Sequence, residues 1–174
     1  MRAACTSIPA PPVKASRAAI FTGATDPWAT VEYTTGAMAK DVAVKTGRTL
    51  AENTGRAFVV HDSIGDRVAC SLLEAKDGAL VASNFTKYPA YNRSLVVTGT
   101  VQVGASDTDT TLGYHLIGTD PACTGAAMSK ANACGVHIHS GTSCEVDQGG
   151  HFHSGTTDGR PSHTPRRPPP RMCS

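Results

Sequence analysis

The chain is short of aromatic residues, of charge and of long apolar runs, and each shortage narrows what it can be. Aromatics make up 5% of 174 residues, against 17 Gly, 11 Pro and many Thr, Val and Ala. That balance suits short strands joined by frequent turns better than long helices. Charged residues make up 17% and the formal net charge is +2, too small an excess to imply a nucleic acid or acidic polymer as partner. The basic residues are dispersed except for Arg166, Arg167 and Arg171. No window reaches the unbroken apolar length of a membrane-spanning helix, so a soluble chain is expected. The opening stretch, MRAACTSIPAPPVKASRAAIF, has a basic residue but no continuous apolar segment, and does not read as a signal peptide. CxxC-type zinc spacing is missing, and so is a carboxylate-rich cage for calcium or magnesium.

What is present points to one all-β domain. The length suits a single core. Residues 1–17 and 159–174 are rich in Pro and are expected to be irregular. Between them lie apolar stretches of strand length: ATVEYT, DVAVKTG, RAFVVHD, RVACSLLE, SLVVTGTVQV, TTLGYHLIG and CGVHIHSG, mostly separated by Gly, Asp, Asn and Pro. Alternation is clearest in ATVEYT and CGVHIHSG, whereas AFVV is continuous enough to be buried on both faces. About seven or eight antiparallel strands of this kind predict a Greek-key sandwich or barrel. KTGRTLAENTGRA is broken by glycines, lacks a clean apolar stripe, and reads as loop and strand. Six cysteines, at positions 5, 70, 123, 134, 144 and 173, favour disulfides. Two N-x-[ST] sequences, at Asn84 and Asn92, fit an extracellular route.

The histidines carry the chemistry. In CGVHIHSG, His137 and His139 are two apart, so on a strand they share a face with Cα atoms roughly 6.6 Å apart, close enough to converge on one ion. Ile138 would then point into the core, and Gly135 and Gly141 would permit close backbone approach. The competing reading is two exposed histidines on a sheet edge. Shortly after Cys144, the glycines of GGHFHSG can turn His151 back toward the pair, with His153 on the same face if the stretch is extended. His61 ends the apolar run of GRAFVVHD, where a strand would leave the core. Three or four convergent imidazoles suit copper or zinc. His115, alone in LGYHLIG, reads as a hydrogen-bonded strand residue, and Arg67, taken alone, as a solvated surface arginine.

Together these segments resemble the copper/zinc superoxide dismutases. GVHIHSG is similar to that family's paired-histidine strand, GGHFH to its glycine–histidine–phenylalanine run, GRAFVVHD to the strand bearing another copper ligand, and RVAC to its arginine and cysteine. The likeness covers most of residues 20–158. It implies a superoxide dismutase-like β-sandwich with His61, His137, His139 and His151 as copper ligands, Arg67 as the anion-guiding residue at the mouth, and a Cys70–Cys144 disulfide. Cys123 and Cys134 are candidates for a second, local bridge around a loop of about ten residues.

The segments stand in a permuted order. The paired-histidine strand opens the family's domain, yet here it follows GRAFVVHD and RVAC. An internal echo, FTGATDPW against FHSGTTDG, fits a second half (18–75) followed, after a linker (76–93), by a first half (94–158), as if cut from a tandem array. The expected arrangement is a circular permutant in which both halves build one domain; its rival is two halves each pairing with an absent partner. The family's zinc loop looks deleted: Asp26 matches a zinc aspartate in position but has no histidine partners, so a copper-only centre is expected. The implied activity is conversion of superoxide to oxygen and hydrogen peroxide. The alternative is a non-catalytic copper-binding or structural module, associating with its own copies or with neighbouring repeats.

Overall fold

The computed structural model describes residues 25–155 apart from 35, 37, 107, 108 and 127. The expected irregular ends, with Cys5, His163 and Cys173, and the first residues of the FTGATDPW echo, lie outside the described residues.

The fold is nearly all β, as the composition predicts, and is built from two antiparallel sheets. One contains β1 (Met38–Val44), β4 (Glu74–Lys76), β5 (Ala79–Ala82), β7 (Thr98–Ser106) and β8 (Asp109–Ile117), in the order β1-β8-β7-β5-β4. The other contains β2 (Ala57–His61), β3 (Arg67–Leu72), β6 (Thr86–Lys87) and β9 (Val136–His139), in the order β6-β3-β2-β9. The sheets form a sandwich. Phe58, Val60, Val136 and Ile138 from the four-stranded sheet and Val101, Val103, Leu112 and Leu116 from the five-stranded sheet belong to one buried cluster. On β8 the alternation is regular, with Leu112, Tyr114 and Leu116 buried between more exposed neighbours.

The four-stranded sheet positions the site because both its faces are covered. In the β2–β9 register, Phe58 lies opposite Ile138 and Val60 opposite Val136, which sets those four on the core face. Val59 opposite His137 and Ala57 opposite His139 therefore share the outer face. There a second small cluster forms from Ala57, Val59 and Cys70, packed by Leu72 and Cys144. Every residue of β2 is buried, as the unbroken run AFVV predicts. The Cys70–Cys144 disulfide holds the segment after β9 over this face, and Cys123–Cys134 closes the loop that leads into it.

Two sequence expectations need correction. KTGRTLAENTGRA contains a short helix, α1 (Leu50–Asn53), where loop and strand were expected; Thr49 and Glu52 satisfy each other's backbone N–H groups in a capping box that stabilises the turn. ATVEYT forms a turn and a single bridge, Glu32 to Gly135, in place of a strand. Its apolar residues Val31 and Tyr33 are buried by loop packing. The expected linker 76–93 carries β5, β6 and the turn of the β4–β5 hairpin, where Asp77 and Gly78 both have positive φ, the pairing a tight hairpin requires. The described residues hold nine strands, the short β4 and β6 adding to the seven or eight expected.

A disulfide spanning 74 residues restricts the unfolded chain strongly. Replacing Cys70 and Cys144 together by Ala is expected to lower the unfolding free energy by about 2–4 kcal/mol, read from urea denaturation of the metal-free protein. Equal midpoints for the two proteins would contradict this role.

Candidate metal centre

β9 presents His137 and His139 on the outer face, and β2 ends at His61 beside them. The His61 backbone N–H donates to the Gly135 carbonyl at 2.8 Å, and its own carbonyl accepts from Tyr33 Oη at 2.7 Å. His151 bridges back to His139 from the following loop. Glycine is required at Gly135, where a Cβ would stand 2.2 Å from His137 Cε1, and at Gly141, where it would stand 2.6 Å from the Gln148 backbone. Both glycines serve the close approach that their positions in the sequence suggest.

The four predicted histidines converge. One potential ligand atom from each of His61, His137, His139 and His151 lies within 4.8 Å of the others, and all four residues are buried. Ring centroids are 4.2 Å apart for His137 and His151 and 5.0 Å for both His61–His137 and His139–His151. β9 is an edge strand, but both histidines are buried, so the alternative of two exposed histidines does not hold.

The outward nitrogens are held. His61 Nδ1 is 3.0 Å from the Gly65 carbonyl and His139 Nδ1 is 2.9 Å from the Gly149 carbonyl. Because a carbonyl oxygen can only accept, both Nδ1 atoms carry the hydrogen and both Nε2 atoms present lone pairs. Those Nε2 atoms face each other at 3.5 Å, which is repulsive unless a cation lies between them. His151 Nδ1 is 2.5 Å from Asp26 Oδ2, which orients that ring in the same manner. His137 differs: its buried Nδ1 has no hydrogen-bond partner among the described residues. A buried polar atom left unpaired is costly, and a bound cation would satisfy it.

Burial also fixes the charge state. Desolvation pushes His61 down to about 4 and His139 down to about 3, in each case opposed by the hydrogen bond to a carbonyl. His137 is pushed far below the ordinary histidine range, first by burial and then by His151, His61 and His139. At neutral pH these three are neutral imidazoles, the form that binds transition metals. The residues present thus fit a metal ion.

Arg67 is brought to the rim by a β-bulge. The β2–β3 register runs Val60 to Ala69 and then His61 to Arg67, so Val68 is the extra residue. Val68 and Ala69 both enter the core, and Arg67 moves to the side of His61. Its Nη2 donates to the Gly149 carbonyl at 2.6 Å, the same oxygen that His139 uses. Its Nη1 donates to Tyr88 Oη at 2.9 Å and to Asp147 Oδ1 at 2.5 Å.

His153 does not join the cluster. It is buried with Nε2 3.9 Å from Asp26 Oδ1, and its Nδ1 accepts from the Gly155 N–H. His115 is exposed on β8, in the other sheet. Asp26, matched in the sequence to a zinc ligand, hydrogen-bonds His151. Sequence reasoning missed the carbonyls of Gly65 and Gly149, which are backbone groups without a residue signature, and also Tyr88 and Asp147, whose surroundings carry no motif. No protein-family model, curated protein or solved structure matches the chain.

Replacing Asp26 by Ala removes the group that orients His151 and is expected to lower metal affinity about 10–100-fold, measured by competition with a chromophoric chelator. The metal-free protein should lose stability as pH falls from about 7 to about 4. His61 has an ordinary value of 6.5 and a folded value of about 4, so in this window the unfolded chain binds more protons and stability rises with pH. His61 alone contributes on the order of 3 kcal/mol, and urea unfolding at pH 7, 5.5 and 4 reads the slope. A flat profile would contradict neutral burial.

Proposed function

We propose that this chain disproportionates superoxide at a single copper ion held by His61, His137, His139 and His151. The observation that carries the proposal is the convergence of four buried imidazoles, two of which, His61 and His139, are 78 residues apart in sequence. Pairing of β2 with β9 supports reading residues 18–158 as one superoxide dismutase-like unit in permuted order.

Several features favour copper without zinc. The ligand set is all imidazole, which suits both oxidation states of copper. Among the described residues there is one group of three or more side chains able to hold a metal, and Asp26 is engaged with His151. Bound copper would supply the one-electron oxidation of one superoxide to oxygen and the one-electron reduction of a second, which leaves as hydrogen peroxide after taking up two protons. The protein's contribution lies in its own residues. Gly65, Gly149 and Asp26 hold three rings in one orientation, and the Cys70–Cys144 disulfide ties the segment leading to His151 to β3. Arg67, with 26% of its side chain exposed, offers the arriving anion a fixed cationic group.

A second reading, a copper-binding module without activity, is favoured by one observation: the charge of Arg67 is already paired with Asp147. The two readings separate in one experiment. Protein loaded with copper is expected to bind one equivalent and to inhibit superoxide-driven reduction of cytochrome c. Stoichiometric binding without inhibition would establish the module instead. His61→Ala is expected to lose both activity and copper affinity, the latter by more than about 100-fold, since a ligand matters more than the group orienting it. Unchanged copper affinity in that variant would overturn the shared site.

A further inference from the structure

Arg67 is held by three groups of different character. The Gly149 carbonyl and Tyr88 hydroxyl fix its direction and carry no formal charge, whereas Asp147 places a carboxylate 2.5 Å from Nη1. Asp147 is itself held in place, because its Oδ1 accepts the Gly149 N–H at 3.0 Å. The same loop therefore supplies the one carbonyl that orients both His139 and Arg67 and the carboxylate that neutralises Arg67. Asp147 is 79% exposed and Arg67 26%. A surface recess lined by Arg67, Tyr88, Val146 and Asp147 opens beside the pair.

We propose that Asp147 is a built-in competitor for Arg67, so that small monovalent anions engage the Nη1 edge of the guanidinium by displacing its carboxylate. The inference rests on the reading of Arg67 as the residue that receives the anion. An exposed carboxylate can swing into solvent while the guanidinium stays fixed by Gly149 and Tyr88, and an exposed ion pair shifts an equilibrium by only about two- to fivefold. Asp147 thus tunes anion access without closing it. The paired charges also sum to zero, so an approaching anion meets little attraction at long range, and its association should depend weakly on salt. Asp147 acts as a specificity-determining residue: an anion that binds the guanidinium better than a carboxylate does will enter, and a weaker one will be held off.

Azide binding to the copper-loaded protein, followed by its charge-transfer absorption, tests the proposal. Asp147→Asn is expected to raise azide affinity about two- to fivefold at low ionic strength, with the gain shrinking as salt is added. Glu145→Gln removes an equal charge from the same recess and should give less than half that gain. In an Arg67→Gln background, Asp147→Asn should change nothing, because the pair no longer exists. Equal azide affinity in Asp147→Asn and the parent protein would overturn the proposal, and so would an equal gain in Glu145→Gln. A metal-free arm keeps this outcome separate from the fate of the copper reading. Thiocyanate titration, read from the NMR signals of the Arg67 guanidinium N–H groups, should show the same ordering of variants whether or not copper binds. Identical thiocyanate affinities in the parent and Asp147→Asn would equally sink the competitor role.

Discussion

Four imidazoles are stripped of water and turned toward one another, and the rest of the structure serves to make that arrangement tolerable. A neutral imidazole removed from water loses hydrogen bonds at both nitrogens. The fold restores one bond to three of the rings, through Gly65 for His61, Gly149 for His139 and Asp26 for His151. Each of those partners lies in a loop whose conformation is itself secured. The turn from Asp62 to Asp66 is held by the Asp62 carboxylate, which accepts the N–H groups of Ile64 and Asp66 and pairs with Arg93. The segment around His151 is wedged by Phe152, whose ring lies beneath the guanidinium groups of Arg48 and Arg56 and whose carbonyl accepts from Trp28 Nε1.

The cluster draws on residues from both ends of the described chain. His61 and Asp26 come from the first half, and His137, His139 and His151 from the second. The β2–β9 pairing and the Cys70–Cys144 bridge join the halves on either side of the site. Rings buried on a sheet face that one half alone would leave open to water would return to ordinary titration.

Much of this was legible in the sequence, and the part that was not has a physical cause. Alternation in the segment around His137 assigned Ile138 to the core and the two histidines to the other face, because side-chain direction in a strand depends only on parity. The continuous run at Phe58–Val60 announced a strand buried on both faces. Local capping at Thr49 and Glu52 was present but outweighed by the neighbouring glycines, and the Asp77–Gly78 hairpin was hidden because β4 is fully exposed and so has no apolar face. ATVEYT misled in the opposite direction. It alternates as a strand should, yet its neighbours supply one bridge and no ladder. The bulge at Val68 could not be read at all, since Arg67 reaches the rim only when strand register slips by one residue.

That slip has a consequence for how the centre and its rim are coupled. By turning Arg67 toward His61, it brings the guanidinium to the Gly149 carbonyl, which already accepts from His139. A carbonyl oxygen has two lone pairs and here both are used, so the backbone at Gly149 cannot shift to accommodate one partner without weakening the other. The orientation of a candidate ligand and the position of the cationic group are therefore one structural variable. Asp147, two residues earlier in the same loop, adds the charge on that variable through its bonds to Arg67 and to the Gly149 N–H. Steric crowding reinforces the constraint: a Cβ at Gly149 would stand 2.4 Å from Ser140 Oγ, and its φ of +71° disfavours any side chain. A glycine thus stands at the single point where the geometry of the imidazoles and the electrostatics of the entrance are set together.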